Sequence, residues 1–170
     1  LPIWAKATQA YVVGASPAIR KHVQQTHDNV LELGVTHDAG QPLLKTLRPV
    51  QWMKNSLLFV PLVLAHELAS IAAVLDVIVA FITFSMCASA MYILNDSLDL
   101  QADRRHPHKR HRPLAAGTLP IGRAAVCFVA LVIGGFGLAA AALPLGFTGL
   151  LIAYVGLTVL YATWLKREAM

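Results

Sequence analysis

Three aspartates and an asparagine stand close together in Asn95-Asp96-Ser97-Leu98-Asp99-Leu100-Gln101-Ala102-Asp103. If the apolar helix before them continues for two more turns, Asn95, Asp99 and Asp103 fall at i, i+4 and i+8. Asp96 sits three residues before Asp99, so all of them share one face. Carboxylates held this close repel one another and call for a cation. An all-oxygen set suits magnesium, which keeps several waters and takes one or two carboxylates plus substrate phosphates. The predicted chemistry is therefore a metal-held diphosphate. Asp96, Asp99 and Asp103 are the expected metal ligands, with Asp96 and Asp99 also acting in the reaction and Asn95 beside the substrate.

Basic residues follow at once: Arg104, Arg105, His106, His108, Lys109, Arg110, His111 and Arg112. Cations beside an acid-bound metal bind the phosphate oxygens the metal does not reach, and Lys109 and Arg112 are the expected substrate contacts. The competing explanation for the run is a topological signal next to anionic lipid. The histidines are loosely spaced with no cysteine nearby, which favours solvated loop residues over a zinc site. Upstream, Arg48, Gln51 and Asn55 stand at i, i+3 and i+7, one face of an α-helix, and Lys54 flanks them. Polar side chains on a membrane helix usually face a cavity, so Arg48, Gln51 and Asn55 are expected at the substrate and Lys54 in catalysis. Snorkelling of Arg48 and Lys54 toward head groups is the alternative.

The elements that must position these residues are apolar. Hydrophobic residues make up 56% of the chain and charged residues 14%, against roughly 25% charged in an ordinary soluble domain. The apolar residues concentrate in four segments, at about 43–65, 69–94, 121–143 and 145–165, with a tight turn at Pro144-Leu145-Gly146. The purely apolar part of the first, Ser56 to Ala65, is short of the about 20 residues a span needs, so that span must take in Arg48, Gln51, Lys54 and Asn55. The turns at His66-Glu67 and Pro144 carry no Lys or Arg, whereas the 95–120 loop, the start of the first segment and the end of the fourth are basic. That alternation puts the long loop and both ends on the cytoplasmic side of the cell membrane. The net charge of +5 is accounted for by these loops, and no basic stretch interleaved with stacking aromatics suggests nucleic acid. Cys87 and Cys127 lie in apolar segments and are expected to be buried and reduced.

Residues 1–40 have a different composition. Ala10 to Val13 reads as a short strand. Ser16 and Pro17 form a helix start with Ala18 to Leu33 as the helix and Gly34 as its stop. Gly40-Gln41-Pro42 reads as a linker. The chain starts at Leu1 and ends abruptly after an apolar segment, which suggests a piece of a longer protein.

Asn95-Asp96-x-x-Asp99-x-x-x-Asp103, placed after the second apolar segment, resembles the first aspartate-rich motif of the UbiA superfamily of intramembrane prenyltransferases. Arg48-Pro49-x-Gln51-Trp52-x-Lys54-Asn55 and His106-Pro107-x-Lys109-Arg110-x-Arg112-Pro113-Leu114-Ala115-Ala116-Gly117 resemble the branch typified by decaprenyl-phosphate phosphoribosyltransferases. The resemblance covers residues 43–170. It implies an all-α polytopic transmembrane bundle of about nine spans, of which about four are present, preceded by a short α/β remnant. It also implies a cavity open to the cytoplasm and the lipid, magnesium as cofactor, and a second aspartate-rich motif that this chain does not contain. In the phosphoribosyl branch the substrates are phosphoribosyl pyrophosphate and a polyprenyl phosphate. In the aromatic branch a polyprenyl diphosphate alkylates a ring. A non-catalytic transporter or lipid-binding membrane protein is the reading from another class. Residues 1–40 weakly resemble the end of a haloacid-dehalogenase-like domain, and the aspartate nucleophile motif of such a domain is absent.

Overall fold

The computed structural model describes residues 10–13, 17–26, 30–33 and 40–165. The chain divides into two compact units, residues 1–38 and 39–170.

In the first unit, β1 (Ala10–Val13) and β2 (Val30–Leu33) flank α1 (Pro17–Thr26). The strands pair in parallel, Ala10 opposite Val30 and Val13 opposite Leu33. Parallel pairing needs a crossover, which α1 supplies. The expected strand at 10–13 and the helix start at Pro17 are both present. The expected helix over 18–33 is too long: it ends at Thr26, and Val30 to Leu33 is strand. The aliphatic Val30-Leu31-Glu32-Leu33 run gains a ladder of backbone hydrogen bonds against β1, and tertiary pairing overrides helical periodicity. Ser16 and Gly34, the expected cap and stop, lie outside the described residues.

Among its described residues the second unit is built of helices and the turns that join them. It runs α2 (Gly40–Leu47), a 3-10 segment (Pro49–Phe59), α3 (Val60–Leu64), α4 (Ile71–Leu98), α5 (Leu100–Arg105), α6 (Ile121–Ala142) and α7 (Leu145–Leu160). Among the described residues three helices are long and apolar enough to cross a membrane: Ile71–Leu98, Ile121–Ala142 and Leu145–Trp164. The protein is a multi-pass membrane protein with an all-α bundle. Gly40-Gln41-Pro42 is the first turn of α2 rather than a linker. Proline is tolerated there because the first N–H groups of a helix have no intrahelical partner.

The expected first span over 43–65 is broken. Pro49 disfavours the α conformation at the residue before it, and Arg48 takes a left-handed conformation instead, with φ 52° and ψ 56°. Beyond it the chain winds as a 3-10 helix from Pro49 to Phe59. At about 2.0 Å per residue this segment rises about 20 Å, and α3 adds about 7 Å. The two together approach the roughly 30 Å of a hydrocarbon core. A stretch too short to span as an α-helix thus gains reach by winding more tightly.

The helices pack around α4. A Cβ on Gly135 of α6 would stand 2.8 Å from Cys87 Sγ and 3.3 Å from the Thr83 carbonyl of α4, so only glycine permits this approach. Small residues at a crossing let membrane helices pack by shape alone. Cys87, Ala139 and Leu151 form one buried cluster where α4, α6 and α7 meet, with the Phe84 and Tyr154 rings 4.6 Å apart beside it. A second cluster lies at the other end: Ile93 of α4, Leu114 and Leu119 of the following loop, and Ala124 of α6.

Candidate active site

The acidic stretch remains helical, as its spacing requires. The Asp99 N–H donates to the Asn95 carbonyl at 2.9 Å and the Asp103 N–H to the Asp99 carbonyl at 2.8 Å, so the ladder runs from α4 into α5. Only Asp99, with φ −87° and ψ 4°, departs from helical geometry. Within this face the residues separate by depth. Asp96 is 3% exposed and Asp103 2%, whereas Asn95 and Asp99 are half-buried.

Two arginines close on the two buried carboxylates. Arg48 Nη2 donates to Asp96 Oδ1 at 2.6 Å and Oδ2 at 2.9 Å. Arg112 Nη1 donates to Asp96 Oδ1 at 3.1 Å and to Asp103 Oδ2 at 2.7 Å, so one nitrogen bridges acids two turns apart. The Arg48 guanidinium also lies 4.7 Å from the centre of the Tyr92 ring, a cation–π distance. Two anions and two cations make a neutral cluster. Burying any one of these charges alone would carry a large desolvation penalty. Losing one partner therefore costs more than the contact it made.

Arg48 reaches Asp96 because the 3-10 segment runs antiparallel along α4. Trp52 Nε1 donates to Ser89 Oγ at 3.0 Å, and Asn55 Nδ2 donates to Ser85 Oγ at 3.0 Å. Ser89 Oγ in turn donates to the Leu47 carbonyl at 2.9 Å, beside the turn at Arg48. Farther along, the Phe59 and Phe81 rings are 5.8 Å apart. Three residues per turn stack Trp52 on Asn55, and that face meets serines spaced i, i+4 on α4. This corrects the expectation that Arg48, Gln51 and Asn55 share a face. With a period of 3.0 rather than 3.6, Gln51 stacks with Lys54 on a different side from Asn55. Gln51 is half-buried and Lys54 exposed.

Arg112 is placed by the loop after α5. The His106 Nδ1 accepts from the His108 and Lys109 N–H groups at 3.2 and 3.3 Å, turning the chain. The Leu119 N–H donates to the Pro113 carbonyl at 3.1 Å, and Gly117 supplies a positive φ of 75° between them. Leu114 and Leu119 are each 4% exposed and pack with Ile93 and Ala124. The loop is thus folded down onto α4 and α6. Lys109 remains exposed.

The structure brings together Arg48, Asp96, Asp103 and Arg112, with Asn95 and Asp99 on the adjoining turn of the same helix. It places Asn55 in the polar seam and leaves Lys54, Gln51 and Lys109 outside the ion-pair cluster. Ser85, Ser89 and Tyr92 are contributors with no part in the sequence expectations, and Trp52 is one that figures there in a motif but with no role. Their signal was present as a tryptophan N–H and two hydroxyls, each in need of a partner within an apolar segment. Among the described residues no three His, Cys, Asp or Glu side chains converge on one point. Asp96 and Asp103 nevertheless form a paired, buried, all-oxygen donor set with guanidinium groups around it. That chemistry fits a magnesium ion completing its shell with waters and phosphate oxygens.

The UbiA prenyltransferase family's sequence profile matches residues 56–170. The decaprenyl-phosphate phosphoribosyltransferase of Corynebacterium glutamicum is 48% identical over 102 residues, covering 54% of this chain and 29% of that protein. The protein of the same name from Mycobacterium tuberculosis is 38% identical over 137 residues, covering 75% of this chain and 43% of its own length. Protein y4nM of Sinorhizobium fredii, of uncharacterized function, is 35% identical across 100% of this chain, which covers 33% of it. The chain thus spans between 29% and 43% of the length of these relatives.

Proposed function

We propose a function from one premise: the chain belongs to the UbiA prenyltransferase family, whose profile matches residues 56–170. The protein transfers phosphoribose from phosphoribosyl pyrophosphate to a polyprenyl phosphate drawn from the membrane. The observation that carries this reading is the neutral cluster of Arg48, Asp96, Asp103 and Arg112 at the end of a membrane helix. It offers carboxylates for a metal and guanidiniums for phosphate oxygens in one place. The relatives named decaprenyl-phosphate phosphoribosyltransferase support the choice of donor and acceptor.

In this reading an oxygen of the lipid phosphate attacks the anomeric carbon of the ribose. The bond from that carbon to pyrophosphate breaks, and pyrophosphate carries away the electron pair. Asp96, Asp99 and Asp103 would hold magnesium, which when bound supplies positive charge at the leaving diphosphate. Arg48 and Arg112 bind the diphosphate oxygens and orient the donor. Asn95 lies at the rim of the same helix face. Gln51, Lys54 and Lys109 act as outer donors to the substrates, and Asn55 holds the 3-10 segment against α4. The basic loop lies on the cytoplasmic side of the cell membrane, where a soluble sugar phosphate meets a lipid head group. The parallel β1–α1–β2 unit supports reading residues 1–40 as the remnant of an α/β domain.

The test is an assay of the full-length protein in lipid nanodiscs with labelled phosphoribosyl pyrophosphate, polyprenyl phosphate and magnesium. The expected product is lipid-linked phosphoribose. Prenylation of an aromatic acceptor from a polyprenyl diphosphate, with no labelled lipid from the sugar donor, would overturn the reading.

A further inference from the structure

A groove opens beside the start of α6. Leu43 of α2, Leu119 of the preceding loop, and Gly122, Arg123, Val126 and Cys127 of α6 line a space of about 450 Å³, the size of a small-molecule site. Arg123 is the one charged residue in this lining, and none of Arg48, Asp96, Asp103 and Arg112 takes part. Ile121–Ala142 is long and apolar enough to cross a membrane, so Arg123, in its first turn, stands where that helix enters the lipid. That is an awkward place for a cation. The first turn is the positive end of the helix dipole and holds no acidic residue. Among the described residues no ion pair reaches Arg123. An apolar wall with a lone exposed arginine at its membrane-surface rim complements a molecule of the reverse pattern, a hydrocarbon chain ending in an anion.

We propose that this groove holds an anionic phospholipid, with an acyl chain along Leu43, Leu119 and Val126 and the phosphate paired with Arg123. A free phosphate would use the arginine and leave the wall bare. A zwitterionic lipid brings its own ammonium to the phosphate and gains less from Arg123. The occupant is a resident lipid rather than the acceptor, because the groove contains none of the side chains at which transfer is proposed to occur. Leu119 links the groove to the rest of the fold. It lines the groove and also belongs to the buried cluster with Ile93, Leu114 and Ala124 that seats the loop carrying Arg112. A bound chain therefore packs on the support of that loop. The site does not depend on which donor or acceptor the protein uses.

The experiment is native mass spectrometry of the full-length protein, released from detergent micelles that contain equal amounts of phosphatidylglycerol and phosphatidylcholine. Wild type should retain phosphatidylglycerol over phosphatidylcholine by about fivefold, the effect of one cation at an anionic membrane surface. Arg123→Gln should lose most of that preference. Val126→Trp, at a position 71% exposed, fills the groove without entering the core and should retain less of either lipid. Arg110→Gln removes an exposed cation outside the groove and should keep the wild-type preference. Equal retention of both lipids by wild type would overturn the proposal. So would a preference that survives Arg123→Gln undiminished, or one that Arg110→Gln removes just as well. Polyprenyl phosphate added at equal concentration should not displace phosphatidylglycerol, and displacement that depends on Arg123 would reassign the groove to the acceptor. Hydrogen exchange at residues 114–119 should slow with phosphatidylglycerol and not with phosphatidylcholine, and the absence of any difference would overturn the link to the loop.

Discussion

Helix α4 is held on two sides by opposite means. Toward α6 it is held by shape: Gly135 lets its backbone approach Cys87 and Thr83 so closely that a methyl group would collide. Toward the 3-10 segment it is held by polar rungs: Arg48 on Asp96, Trp52 on Ser89 and Asn55 on Ser85. A seam made by shape has no tolerance for added volume. A seam made by hydrogen bonds is sensitive instead to the loss of one partner, because the other is left unsatisfied in an apolar setting. The polar seam is also the one that leads to the charged cluster, so a lesion at its charged end should be read in activity, and those of its neutral rungs and of the glycine seam in stability.

Five substitutions would break or sharpen this contrast. The largest effect is expected from Asp96→Asn, which keeps the shape but removes the charge that both arginines face. Transfer by the full-length protein should fall by about a hundredfold or more, with its unfolding midpoint shifted far less. Near-normal turnover would separate the polar seam from function. Gly135→Ala comes next. Its Cβ would meet Cys87 Sγ at 2.8 Å, and overpacking of this kind costs about 1–3 kcal/mol. Denaturant titration in mixed micelles would measure it, and an unchanged midpoint would show that the α4–α6 approach relaxes freely.

Trp52→Phe removes one N–H and should destabilise by about 0.6 kcal/mol, the usual worth of an interhelical hydrogen bond in a membrane. Ser89→Ala should cost more, because its Oγ also donates to the Leu47 carbonyl, and the double variant less than the sum, since both lie on one rung. Strict additivity would argue that the rung is not formed. The smallest change is expected from Lys54→Gln. An exposed side chain outside the cluster should leave stability within about 0.5 kcal/mol and raise the donor KM only a few-fold. A loss of turnover rivalling that of Asp96→Asn would move Lys54 into the reaction itself.

Much of this was legible beforehand. The helical spacing of Asn95 to Asp103 holds in the structure because backbone hydrogen bonds continue across Asp99. The three long apolar helices were readable from hydropathy alone. What was not legible depends on winding rather than composition. Gln51 and Asn55 share a face at 3.6 residues per turn and separate at 3.0, and nothing in their side chains announces the tighter helix. Pro49 did signal a break, but not the left-handed turn at Arg48 before it. Likewise, Val30 to Leu33 is a strand only because β1 lies beside it, and single-segment periodicity carries no knowledge of a neighbour. The arginine partners of Asp96 lie 48 and 16 residues away in sequence, a pairing that only the folded loop and the broken first segment create.

The loop that carries Arg112 is held down by oil as well as by its buried ion pairs: Leu114 and Leu119 sit in a cluster with Ile93 and Ala124. High salt should therefore leave the arginine where it is, whereas shaving a leucine should not. In a genetic screen for inactive variants, Leu119→Ala would score beside Arg112→Gln despite changing no ionisable group, and a bulkier residue across the cluster at Ala124 would be the place to look for its suppressor.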